Sequence, residues 1–454
     1  MQNNTTNTGA NALPGAFIER MKSLLGEEYE RFITCYSLPP VRGLRVNTLK
    51  VSVEDFLAVS PWKLSTSQTL SEGFVFTEDP DHIGISAEHM AGMFYIQEPS
   101  AMSVIENADI CEGQFVLDLC AAPGGKSGGV AARLNGTGLL VSNEIVPSRA
   151  KLLARNLERL GVMNAVVTNA HPDALASNLP NFFDRVLVDA PCSGEGMFRK
   201  DPVAITEWSI EHVTACAKRQ NMILESAYKL VRPGGKLIYS TCTFSREENE
   251  GVIETFLERH PEYALEFSSR LYPHTGIGEG HFVARLVNKL PPVPNFFVPF
   301  AGRIDKKLLT SVKSFLSDTF TSFPTNGFFD VLPNGTIQYF PSPSLPAEIS
   351  RLPVLSMGLN IGEYTKGRIK PAHALFMACC NRSTLAFGSE KILDLSPDSD
   401  EVRQFLAGNT LNVDESLSGF LPVAVHGCSL GFGKAVSGTL KNHLPKGLMV
   451  AAYR

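Results

Sequence analysis

The sequence predicts an α/β chain built around a parallel sheet with helices on its faces. Three observations carry that expectation. Between residues 110 and 290, short apolar runs alternate with helical patterns of about ten to fifteen residues, the signature of repeated βαβ units. The first run ends in a glycine-rich turn and the second in an acid. Hydrophobic residues make up 44% of the 454 residues and charged residues 19%, so the chain can bury a sizeable core and global disorder is excluded.

At roughly 150 residues per domain the length suggests about three domains. Residues 1–14 read as a polar tail, without the basic and apolar regions of a secretory leader. Residues 17–32 have helical spacing, with Phe17, Met21, Leu24 and Leu25 on one stripe. A proline-broken loop, SLPPVRGLRVNTLK, leads into an alternating segment, and residues 15–90 are expected to form a small mixed α/β unit.

The regular core spans 91–289. Its five apolar runs are residues 114–119, 138–143, 165–168, 185–188 and 236–240. Residues 148–160 are helical, with Leu153, Leu157 and Leu160 at spacings of four and three. A longer helix over about 211–230 is expected to stop at the breaker RPGG. Residues 290–300 fall in the proline-rich KLPPVPNFFVPF and read as a linker. Residues 301–454 are turn-punctuated and β-like, with basic runs in TKGRIK and after Gly431. A solvated face explains such runs as well as a nucleic-acid contact does.

With 41 basic and 46 acidic residues the net charge is -5, so the whole molecule is not a polybasic nucleic-acid binder. Any such site must be a local patch. The nine cysteines include no CxxC pair, which disfavours a disulfide framework and a zinc site; no metal is expected. No apolar run approaches the ~18 residues needed to span a bilayer. These features lead to the expectation of a reduced, cytoplasmic protein.

The turn after the first run is Cys120-Ala121-Ala122-Pro123-Gly124-Gly125-Lys126-Ser127. A P-loop needs glycine where Cys120 stands, and GxGxxG is absent. What remains is a strand-to-helix turn offering backbone N–H groups to a ligand. Glu144, ending the second run, sits where doubly wound sheets bind ribose hydroxyls. No basic residue adjoins it in sequence to take a phosphate, which favours adenosine without phosphate, as in S-adenosyl-L-methionine. A helix cap and an exposed acid are the plain structural alternatives. The fourth run leads into Asp189-Ala-Pro-Cys192 and the fifth into Ser240-Thr-Cys242-Thr. Both cysteines then stand at the carboxyl edge of the sheet, where inert packing explains a pair poorly.

The segments VLDLCAAPGGKS, DRVLVDAPCSGEGMFRKDP and YSTCTFSREENE, with LRVNTLK and YIQEPSAM upstream, resemble the RNA cytosine-5 methyltransferases of the Nol1/Nop2/Sun family. LKNHLPKGL and the overall length resemble its bacterial RsmF-type branch, which modifies 16S ribosomal RNA of the small subunit. The resemblance implies a ferredoxin-like N-terminal RNA-binding unit, a Rossmann-like class I methyltransferase core and a PUA-like C-terminal RNA-binding region. It implies that Cys120 to Lys126, Glu144 and Asp189 hold S-adenosyl-L-methionine, with Arg149 supporting the site. It assigns Cys242 as nucleophile on carbon 6 of cytosine and Cys192 to release of the methylated RNA. Asp189 would bond the base edge near N3, and Lys126 would support charge. Where many members carry an aspartate near the adenine, this chain has His171, with Asp173 two residues on.

The implied partner is RNA, as 16S rRNA or the small subunit, with no DNA or membrane, and the protein is expected to be a monomer. Two competing readings are transfer RNA as substrate and a non-catalytic RNA-binding assembly factor. An exocyclic-amine methyltransferase is disfavoured, because Asp189 is followed by Ala-Pro-Cys rather than Pro-Pro and an aromatic residue.

Overall fold

The computed structural model describes residues 13–294, 297–300, 302–324, 326–342, 345–380, 385–387 and 391–453. Most of the tail expected at 1–14, and Arg454 in the basic C-terminal run, lie outside the described residues.

The helix expected over residues 17–32 is broken. Gly15–Leu25 and Tyr29–Thr34 are helical, and Gly26–Glu28 is a 3-10 turn between them. Gly26 causes the break: it takes φ +53° and closes its N–H onto the Lys22 carbonyl. Phe17 and Phe32 still share one core with Phe198, Trp208 and Phe244, which ties this entry segment to the cysteine loops described below.

Strands β1 (Gly43–Val46), β2 (Leu64–Thr66), β3 (Gly73–Phe76) and β4 (Phe94–Ile96) form an antiparallel sheet in the order β2-β3-β1-β4. Helix Val53–Val59 separates β1 from β2, and helix Ala87–Met90 separates β3 from β4. That βαββαβ order is the ferredoxin-like arrangement.

The central sheet contains β5 (Phe115–Asp118), β6 (Leu139–Asn143), β7 (Ala165–Thr168), β8 (Phe183–Asp189), β9 (Val231–Thr241), β10 (Tyr263–Leu271) and β11 (His281–Asn288). β5 to β9 are parallel, and β10 and β11 run antiparallel beside β9. Successive residues bury into opposite faces. Leu117, Val141, Val166, Val186 and Leu237 join one core, and Val116, Leu140, Val167, Leu187 and Ile238 join the other. Two covered faces explain why these strands read as unbroken apolar runs. The helix expected over about 211–230 ends where expected, as Ile210–Ala227 with a 3-10 turn Tyr228–Leu230, but RPGG itself lies inside β9, which starts at Val231 rather than at the expected 236. Val231 pairs with Phe183, and the register then shifts, so the proline and glycines occupy a bulge.

Residues after 300 build three further features. Helix Lys306–Thr319 precedes a sheet of β12 (Phe328–Val331), β13 (Thr336–Phe340), β15 (Leu359–Thr365) and β16 (Arg368–Pro371). Between β13 and β15, β14 (Val354–Met357) leaves that sheet and pairs antiparallel with β7, giving the central order β10-β11-β9-β8-β5-β6-β7-β14. The last sheet holds β17 (Leu393–Asp394), β18 (Leu411–Asn412), β19 (Gly419–Val425), β20 (Cys428–Val436) and β21 (Thr439–Asn442). Val402 and Phe405 of helix Asp400–Ala407 and Leu421 and Val423 of β19 share a core with Leu44, Val46, Phe56 and Phe94 of the N-terminal unit. The two ends of the chain therefore pack on each other. Of the basic runs, Lys366, Arg368 and Lys370 lie at the β15–β16 hairpin, and Lys434 and Lys441 face each other across β20 and β21. Among the described residues, no helix is long and apolar enough to cross a membrane.

Candidate active site

The sheet order reverses between β5 and β8: the chain winds from β5 through β6 to β7, then returns to lay β8 on the other side of β5. Side chains at the carboxyl ends of these strands surround a crevice at that switch point. Asp118, Glu144 and Asp189 arrive there from β5, β6 and β8.

The glycine loop is held from several directions. Ala121 N–H donates to the Asn143 carbonyl at 2.8 Å, Arg149 Nη2 donates to the Ala122 carbonyl at 3.0 Å, and Asn156 Nδ2 donates to the Pro123 carbonyl at 2.8 Å. The Ala122–Pro123 peptide is cis, and Gly124 takes φ +110°, a backbone angle closed to most side chains. Helix Gly125–Leu134 starts at once and carries Lys126 toward the crevice. Below the loop, Ser127 Oγ donates to Asp118 Oδ2 at 2.7 Å while Asp118 Oδ1 is buried without a partner. Burial pushes the Asp118 carboxyl up to about 7. The Cys120 thiol is likewise pushed up by burial.

Glu144 is 3% exposed, with Oε1 accepting from Val146 N–H at 2.9 Å. Arg149 Nη1 lies 3.3 Å from its Oε2. Glu144 thus has a basic neighbour in space that it lacks in sequence, because the first turn of helix Pro147–Arg159 folds Arg149 back over it. His171 caps helix Pro172–Asn178, and Asp173 accepts from Ser226; both carry exposed side chains.

The two cysteine loops meet. Cys192 and Cys242 are half-buried, with Sγ atoms 3.4 Å apart. Lys126 Nζ lies 2.7 Å from Asp189 Oδ2, and Ser240 Oγ donates to Asp189 Oδ1 at 2.8 Å. Burial opposes both charges of that pair, but each partner outweighs it: Lys126 sits above the usual lysine range and Asp189 below the usual carboxylate range. The hydrogen bond to Cys242, together with burial, holds the Cys192 thiol well above the ordinary cysteine value.

A buried polar frame behind the cysteines escaped the sequence reading. Glu248 accepts from Ser193 N–H at 2.9 Å and from Gln220 Nε2 at 2.9 Å, and Gln220 also donates to the Pro191 carbonyl. Glu195 accepts from Phe244 N–H at 2.8 Å and Trp208 Nε1 at 3.0 Å. Gly196 N–H donates to the Cys242 carbonyl at 2.8 Å. Ser193, Glu195 and Glu248 lie inside the quoted motifs, so adjacency to the cysteines was the available signal. His281, whose Nε2 lies 3.7 Å from Asp189 Oδ1, gave none.

Residues 108–287 match the family model described as 16S rRNA methyltransferase RsmB/F. Residues 13–99 match the N-terminal domain of 16S rRNA methyltransferase RsmF, and residues 393–450 match the methyltransferase RsmF PUA domain. The chain is 35% identical to ribosomal RNA small subunit methyltransferase F of Vibrio vulnificus (strain YJ016), covering 96% of this chain and 98% of the relative. Its counterpart in Aeromonas salmonicida (strain A449) is 32% identical, with 96% and 97% covered. A solved methyltransferase homolog protein from Pyrococcus horikoshii superposes with TM-score 0.55 at 28% identity, covering 63% of this chain and all 100% of that one.

Fold, crevice and likeness together define a methyltransferase with a Rossmann-like core that uses S-adenosyl-L-methionine. The residues present suit that donor. Three carboxylates edge the crevice, one of them with an unpartnered buried oxygen, which fits a ligand bearing hydroxyls and a positive centre. Within that class, the chain belongs to the RsmF family.

Proposed function

We propose that this protein methylates carbon 5 of cytosine in 16S ribosomal RNA, with Cys242 as the nucleophile. The observation that carries the reading is the 3.4 Å approach of the two sulfurs beside the Lys126–Asp189 pair. Carbon 5 of cytosine is a poor nucleophile until carbon 6 bears an added group. A thiolate supplies that group in a covalent step. The Cys192 thiol, held protonated, lies close enough to Cys242 Sγ to donate to it once that sulfur acts as a thiolate.

The Cys242 sulfur bonds to carbon 6, and the ring electrons moved to carbon 5 take up the methyl group. Bound at the crevice, S-adenosyl-L-methionine supplies that methyl from its sulfonium. A base must then take the carbon-5 proton; the electron pair of that bond re-forms the ring double bond and expels the Cys242 sulfur as a thiolate, with Cys192 assisting release. Asp189 is ionised, so it accepts from the base edge: from the exocyclic amine, and from N3 once that nitrogen is protonated. Lys126 offsets charge developing in the ring. The loop Cys120–Lys126 and Glu144 hold the donor, with Arg149 bracing both. Carbon 5 is inaccessible within a stacked helix, so the target base must be splayed out. The N-terminal and C-terminal units supply phosphate contacts.

The test is labelled-methyl transfer to undermethylated small ribosomal subunits. Cys242→Ser is expected to abolish transfer while donor binding survives. Cys192→Ala is expected to accumulate a protein–RNA band that resists denaturation. An inactive Cys192→Ala and a trapped band in Cys242→Ala would reverse the two roles. Bisulfite mapping of RNA from cells lacking the protein identifies the cytosine, and a signal lost from transfer RNA instead would overturn the ribosomal assignment.

A further inference from the structure

His281 is the first residue of β11, in the antiparallel part of the sheet, far in sequence from the donor loop and both cysteine motifs. Its backbone is fixed from behind. Glu279 N–H donates to Glu98 Oε1 at 2.8 Å and Gly280 N–H donates to Ser100 Oγ at 3.1 Å. Gly280 takes φ +115°, and a Cβ there would meet the Phe244 ring at 2.3 Å, so the chain is pressed against the cysteine loop immediately before His281.

The imidazole is 3% exposed, and its Nε2 is buried without a hydrogen-bond partner. Native folds rarely leave such an atom unpaired without a reason. Nε2 faces Asp189 Oδ1 at 3.7 Å, just outside bonding distance. Asp189 already accepts from Lys126 on Oδ2 and from Ser240 on Oδ1, but a carboxylate offers about four acceptor sites. Burial first, and the nearby Lys126 ammonium second, lower His281 to about 4, so the ring is neutral and presents a single N–H.

We propose that His281 is a positioning residue for Asp189: its Nε2–H closes onto Oδ1 when the target pyrimidine enters, and so fixes the carboxylate against which the base edge docks. Closure by about 0.5 Å suffices for an ordinary N–H···O bond. Hydrogen bonds around catalytic groups are often long in the free enzyme and shorten in the substrate complex. Lys126 pulls on the carboxylate from the donor-loop helix and Ser240 from β9. His281 adds a third donor, from β11, on the oxygen that Ser240 alone holds. The inference rests on the cytosine reading above.

Three variants of the full chain test it, with kcat and KM measured separately on undermethylated small subunits and donor affinity measured by calorimetry. His281→Phe keeps a planar ring and removes the donor. His281→Gln restores an amide N–H at similar reach, and His281→Asn carries the same group too short to arrive. Phe and Asn are expected to lower kcat about tenfold, in the range found when partners that orient a reacting group are removed. KM and donor affinity should stay within about twofold, and Gln should recover most of the loss. In a Cys192→Ala background, the trapped band should form more slowly with Phe or Asn and near normally with Gln. Equal kcat in Gln and Asn overturns the inference even if the Phe variant fails to fold. So does a loss in all three that tracks lower melting temperature and donor affinity. If the wild type methylates cytosine and His281→Phe matches it, the positioning role alone falls. If the wild type transfers no methyl to cytosine, the functional reading falls and takes this inference with it.

Discussion

Glu144 shows how one side chain links sequence and packing. Its place after an apolar run was legible because parallel strands deliver their last residues to the sheet edge. The contact from Arg149 was not, since a helix turn rather than sequence adjacency makes it. In the proposed site, Glu144→Gln exchanges a charged acceptor for a neutral one, and donor Kd is expected to rise by about tenfold or more by calorimetry. The fold should survive, because Arg149 is 55% exposed and regains water when its partner is neutralised. An unchanged Kd would remove Glu144 from the donor site. Cys192, Cys242 and Asp189 were legible for the same reason as Glu144. His281 and Gln220 were not: β11 and helix Ile210–Ala227 bring them in, and no local pattern marks a residue that acts through tertiary approach.

At the level of elements, helix Gly125–Leu134 depends on what it lacks. A Cβ at Gly128 would meet Leu160 Cδ1 at 2.7 Å and Arg45 Nη2 at 2.9 Å, and one at Gly129 would meet Ile105 Cγ1 at 2.7 Å. The bare face lets Arg45 of β1 reach across and donate to the Gly125 carbonyl at 2.6 Å. The N-terminal sheet thereby touches the first turn of the helix that follows the glycine loop. Gly128→Val is expected to cost about 1–3 kcal/mol by overpacking, seen in chemical denaturation, and to weaken donor binding as the helix shifts. Retained stability with unchanged affinity would show that the two elements are not mechanically joined. Sequence patterning found the strands because both faces are covered, and it overran at Gly26 and started the fifth strand after RPGG instead of before it. Both errors have one cause: a glycine or proline marks a local change of direction without saying whether the element ends or merely bulges.

Over the whole molecule, buried histidines couple folding to acidity. His89 is lowered to about 3 by burial and by Arg159, and His281 to about 4 by burial and by Lys126. Both stay neutral in the folded chain while an unfolded histidine binds a proton near 6.5. Their contribution is therefore complete above about pH 6.5 and is lost as pH falls from there toward 4 and 3. Melting temperature is expected to drop on acidification from pH 7 to 4.5, and His89→Phe, which keeps a ring against Phe94, should recover about 3 °C of that drop. An identical drop in the variant would exclude His89 as a source. The contribution of β14 belongs to this scale as well, and nothing in the LPVLSM run announced it, because a strand that joins a distant sheet carries no local sign of its destination. It caps the free hydrogen-bonding rim of β7. A shortened chain ending before β14 would bare that rim, and unpaired rims invite neighbouring molecules to pair with them. Such a fragment is expected to clump in solution even if its own sheet forms, read by light scattering, and a monodisperse fragment would show that the rim needs no cover.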